Sequence, residues 1–82
     1  MREPVPGMQL PIDERILEAL AHGLVLSPAV IALNIDKSRS EVNRRLSELV
    51  DIGLVKRVKR GYYEITDAGE RYLSGDLDPD EF

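Results

Sequence analysis

The chain has 82 residues, enough for one small hydrophobic core and no second independent domain. Its hydrophobic fraction of 43% favours folding over disorder, and no apolar run approaches the roughly 20 residues a bilayer requires. With no cysteine and a lone His22, neither disulfides nor the common metal sites are available, so no metal or cofactor is expected.

The prolines of MREPVPGMQLP interrupt any signal-peptide core, so the expected location is cytoplasmic. Residues 1–11 hold three of the five prolines and predict a flexible N-terminal arm. From Ile12 the pattern becomes helical: Ile12, Ile16, Leu17 and Leu20 recur on one face, Asp13 and Glu14 sit where the helix dipole favours anions, and Gly23 marks a stop. The spacing predicts a helix over 12–22, with His22 helping its last carbonyls. LVLS (24–27) is long enough only for a brief strand. Ser27 and Pro28 make an N-cap and first-turn pair, opening a short helix so apolar over residues 29–33 that it is expected to be buried on most sides.

Ser38 and Glu41 fit S-x-x-E, the capping box that starts a third helix. Val42, Leu46, Leu49 and Val50 form its apolar stripe; Ser40, Arg44, Ser47 and Asp51 project opposite, flanked by Asn43. Gly53 closes it. LVKRV (54–58) and YYEIT (62–66) then read as a hairpin turning at Gly61, with Tyr63 and Ile65 inward and Tyr62 and Glu64 outward. Thr66 caps a fourth helix through Leu73 that ends at Gly75, and residues 75–82 predict an acidic flexible tail.

The order defines an α+β winged helix-turn-helix over residues 12–74: a three-helix core, a two- to three-stranded β wing and a C-terminal helix. Charge supports that reading. The net charge is −4, yet residues 37–60 hold eight of the eleven basic side chains against three acids, a local charge of +5 in a chain otherwise at −9. A dipolar surface of this kind turns one face toward a polyanion.

The stretches SPAVIALNIDKSRSEVNRRLSELVDIGLV and GYYEITDAGERYL, with DERILEAL extending the match, resemble the winged-helix repressors of archaea, close to the halophage repressor-like group and more distantly the multiple-antibiotic-resistance regulator superfamily. The resemblance implies sequence-specific binding of duplex DNA, usually as a homodimer, to repress transcription. Long flanking helices found in the larger regulators are missing here, so a built-in ligand pocket is not implied.

In such a domain the third helix enters the major groove. Base readout falls to Ser40, Asn43, Arg44 and Ser47. Backbone contacts fall to Lys37, Arg39 and Arg45 on or beside the helix and to Lys56, Arg57, Lys59 and Arg60 on the wing, whose turn is made by Gly61. Dimerisation would use the first helix and the last, around Tyr72 and Leu73. The competing reading is a winged helix that contacts protein in a larger assembly; it calls for apolar residues on the outward face of the third helix, where polar ones stand. No serine, histidine and aspartate set converges, so an enzyme is not expected.

Overall fold

Four helices and one hairpin follow each other in the order α1 (Ile12–Leu20), α2 (Pro28–Ile35), α3 (Arg39–Asp51), β1 (Val55–Lys59), β2 (Tyr62–Ile65) and α4 (Asp67–Ser74), with a 3₁₀ turn at Pro79–Glu81, in a computed structural model that describes residues 1–81. Local chemistry sets the starts of three helices. The Ser27 hydroxyl accepts from the Val30 amide, Ser38 from Glu41 and Thr66 from Gly69, each satisfying an amide that the first turn leaves unpaired. The box at Ser38 is half formed: the Glu41 carboxylate meets the Ser38 hydroxyl at 3.5 Å instead of its backbone amide. Asp36, in the left-handed region at φ 57°, stops α2 and turns the chain into α3.

Ile16, Leu17 and Leu20 from α1, Ile31 from α2 and Val42, Leu46 and Leu49 from α3 are fully buried and make a three-helix core, closed by Leu54, Val55, Tyr63, Ile65 and Tyr72. Burial of this apolar surface, at about 25 cal/mol per Å², is the main favourable term.

The hairpin is antiparallel and pairs Val55 with Ile65, Lys56 with Glu64, Arg57 with Tyr63 and Lys59 with Tyr62, so Val58 is an extra residue that bulges β1. LVLS contributes only one bridge, with Leu26 and Tyr63 exchanging backbone bonds of 3.0 and 2.9 Å. Tyr63 and Ile65 face the core and Tyr62 faces out, as period-two alternation requires.

Both terminal segments touch the body of the domain: nine of the first eleven residues are exposed, but Val5 is 2% exposed within the core and Arg2 donates to the Leu73 carbonyl at 2.8 Å, and beyond Gly75 Leu77 is buried. Two expectations are corrected. Helix α1 stops at Leu20, leaving His22 exposed in the following turn and outside the helix. Helix α2 buries only Ile31, Ala32 and Ile35; Ala29, Val30 and Leu33 face solvent, Leu33 at 84% exposure. Apart from Asn34 its composition is apolar all round the helix, but one chain covers only half of it.

Candidate nucleic-acid interface

Burial of Val42, Leu46 and Leu49 leaves the opposite side of α3 to solvent, and Ser40, Asn43, Arg44 and Ser47 are all exposed there at i, i+3, i+4 and i+7 spacing. Arg44 has no ion-pair partner among the described residues, so its planar five-donor fork is available to a ligand. Lys37 and Arg39 are exposed beside the N-terminal end of the helix, where backbone amides add partial positive charge.

The wing is tied to the far end of α3 by a compact hydrogen-bond set. The Leu54 amide donates to the Leu49 carbonyl at 3.0 Å, the Thr66 amide donates to the Leu54 carbonyl at 3.1 Å, and the Thr66 hydroxyl donates to the Gly53 carbonyl at 2.7 Å. Thr66 therefore serves twice, capping α4 and anchoring the hairpin. The polar face of α3 and the wing consequently form one frame.

The four basic side chains of the wing fall into three situations. Lys56 pairs with Glu64 at 3.0 Å, so its charge is offset locally. Arg57 stacks on Tyr63, its guanidinium carbon 5.6 Å from the ring centroid, and its Nε donates to the phenol oxygen at 3.3 Å. Lys59 and Arg60, at the tip beside Gly61 with its φ of 80°, are exposed and have no ion-pair partner among the described residues. Glycine is needed at that turn because a side chain strains at positive φ.

Arg45 does not belong with these. It is 8% exposed and faces the core, where Nε and Nη2 grip the two oxygens of Asp13 at 2.9 and 2.8 Å and Nη2 also reaches the Gly7 carbonyl at 2.9 Å. The Asp13 hydrogen bond raises the Arg45 pKa above its ordinary value, outweighing the opposing effect of burial. A phosphate role for Arg45 is thus corrected: its guanidinium is committed inside the protein. Asp13 is the residue that sequence reasoning missed. It stands at i−3 from Ile16, i−4 from Leu17 and i−7 from Leu20, on the apolar face, and a carboxylate in that position requires a partner.

A half-buried α2, a capped α3 with a polar basic outer face and a hairpin fixed to its end define a winged helix-turn-helix DNA-binding domain. The chain belongs to the winged helix-turn-helix phage repressor family, whose model matches residues 1–82. It is similar to the repressor protein of Halobacterium phage phiH, with 40% identity over 75 residues, 85% of this chain and 84% of that protein. It is also similar in structure to the PhiH1 repressor-like protein from Haloarcula marismortui, with a TM-score of 0.81, 36% identity, and 96% of this chain and 91% of that one covered. The chain is a DNA-binding transcriptional repressor. Among the described residues no helix is long and apolar enough to cross a membrane.

Proposed function

We propose that α3 reads the major groove with Ser40, Asn43, Arg44 and Ser47, that Lys37 and Arg39 hold phosphates at its N-terminal end, and that Arg57, Lys59 and Arg60 hold phosphates beside the groove. The observation carrying this reading is the composition of the outward face of α3: Arg39, Ser40, Asn43, Arg44, Ser47, Glu48 and Asp51 are exposed and none is apolar. A protein-contact surface would place apolar anchors there. Repression then follows from occupancy of a cytoplasmic DNA site, without catalysis.

The domain measures 31 × 22 × 20 Å, and a helical turn of DNA is about 34 Å, so one copy spans a single half-site. Two copies on half-sites about 10 base pairs apart supply the selectivity a genome demands. Tyr72 is 1% exposed against α1, so it is not the contact. The uncovered apolar residues Leu24, Val30 and Leu33 are the surface for a second copy, and the exposed side of α2, apolar except for Asn34, gains its missing cover.

The test is selection of duplexes from a random library followed by sedimentation of the wild type and Leu33→Glu, free and on the selected DNA. A palindromic selected site and two copies per duplex, lost in Leu33→Glu, are expected; a monomer on a single half-site would refute the dimer, and no enriched sequence would refute base readout.

A further inference from the structure

The buried pair of Asp13 and Arg45 joins three parts of the molecule. Asp13 lies in the first turn of α1, Arg45 in the middle of α3, and both Gly7 and Gln9 come from the segment before α1. Asp13 is 0% exposed and takes three hydrogen bonds: two from the Arg45 fork and one from the Gln9 amide at 2.7 Å. No buried side-chain polar atom among the described residues lacks a partner, so the network is complete.

Stability alone does not account for such an arrangement. Desolvating two charges cancels much of their attraction, and well-packed apolar replacements of similar volume are often neutral or better. What a bidentate fork adds is direction, because its two parallel bonds hold only in one plane and at one distance. Elsewhere α3 is held to the core by Val42, Leu46 and Leu49, whose hydrophobic burial carries no direction of its own. Arg45 is the immediate neighbour of Arg44. A turn of α3 by about 20° would carry a side chain lying 5–6 Å from the axis through ~2 Å, enough to break a hydrogen bond to a base edge.

We propose that Asp13 and Arg45 are positioning residues for DNA readout: their fork sets the rotation of α3 about its axis, and the Gly7 and Gln9 backbone bonds make the N-terminal segment part of that setting. The proposal rests on the reading of α3 as the base-contacting helix. It assigns the two residues no contact with DNA.

The full-length protein tests it. The probes are the tightest duplex the wild type selects from a random library and a scramble of that duplex; the variants are Asp13→Leu/Arg45→Met, Arg45→Lys and Arg44→Ala, each checked by circular dichroism and thermal melting. Asp13→Leu/Arg45→Met is expected to melt near the wild-type temperature, the apolar gain offsetting the Gln9 amide and Gly7 carbonyl that lose their partners, to bind the scramble as the wild type does, and to lose about tenfold in the selected-to-scrambled ratio, the discrimination of one base-reading pair. Arg45→Lys keeps the charge but not the fork, and is expected to lose several-fold in the same ratio. An unchanged ratio, or equal weakening on both duplexes, overturns the positioning role; if Arg44→Ala still lowers the ratio, base readout by α3 stands. An unchanged ratio in every variant, Arg44→Ala included, overturns both. Should the Leu and Met variant fail to fold, Arg45→Lys decides on the same outcomes.

Discussion

Lys56 and Glu64 face each other across the hairpin with Nζ 3.0 Å from Oε1, on the side of the wing opposite Arg57 and Tyr63. The pair is largely exposed, so its contribution to stability is small, under about 1 kcal/mol. Its electrostatic consequence is larger. One of the wing's four basic side chains is offset by Glu64, which on the proposed reading puts a carboxylate where phosphates would approach.

Glu64→Gln should therefore tighten binding to every duplex, selected or random, and steepen the log-log salt dependence by up to about 0.9, the contribution of one added phosphate contact. Thermal stability should change little. Salt titrations by fluorescence anisotropy measure both quantities, and an unchanged slope would place Lys56 away from the DNA.

Gly69 is required by close approach. A side chain there would run into the Leu54 carbonyl oxygen and would lie 2.6 Å from Ile65 Cγ1, while the Gly69 amide is held by Thr66 at 3.1 Å. Gly69→Ala should cost ~1–3 kcal/mol through overpacking, and Thr66→Ala ~1 kcal/mol or more, since both the cap and the bond to Gly53 disappear. Urea melts at neutral pH check both. Because this junction fixes the wing to α3, Thr66→Ala should also weaken DNA binding beyond its loss of folded protein.

Tyr72 links folding to alkaline pH. Burial pushes its phenol well above the ordinary 10.0, and the hydrogen bond it donates to Glu14 at 2.8 Å adds to the shift. Below pH 10 the phenol is protonated in both states. Above it, the unfolded phenol loses its proton while the folded one retains it, so stability falls as pH rises. Tyr72→Phe should be less stable near neutrality by about 1 kcal/mol, from the lost hydrogen bond, but should decline less steeply above about pH 10. Urea midpoints of the two proteins from about pH 8 to 11.5 give the comparison; parallel curves would show that Tyr72 ionises as freely folded as unfolded.

Caps and periodicity made much of this fold legible. Ser27, Ser38 and Thr66 each cap the helix that their neighbours predict, and Gly61 turns the hairpin. Those signals are local, and local bonds satisfy them. What escaped depends on long-range packing. Val5 and Leu77 are single apolar residues among prolines and acids, with no period to mark them, yet each is buried. The exposure of Leu33 is invisible to composition, because an apolar helix reads as buried whichever face is covered. Arg45 was readable in principle: with Val42, Leu46 and Leu49 it makes an i, i+3, i+4, i+7 set, and Asp13 with Ile16, Leu17 and Leu20 makes another. Two opposite charges, each occupying a slot in an apolar stripe, point to each other.

The proposed division of labour between α3 and the wing yields the sharpest test of the interface. Arg44 stands free in the middle of the polar face, and its fork matches guanine O6 and N7; losing such a pair typically costs ~1–3 kcal/mol and relaxes preference at one base position. Lys59 and Arg60 stand free at a hairpin tip, where phosphate contacts carry no sequence information and each contributes about 0.9 to the salt slope. Arg44→Ala should weaken the selected duplex far more than a scramble of it. The Lys59→Ala/Arg60→Ala variant should weaken both alike and flatten the slope by nearly 2, whereas the same change at Lys56 should flatten it less, since Glu64 already offsets that charge. Salt titrations of the wild type and these variants on both duplexes separate the roles. Equal loss on both duplexes in Arg44→Ala would move base readout elsewhere on α3, and an unaltered slope in the tip variant would lift the wing off the DNA.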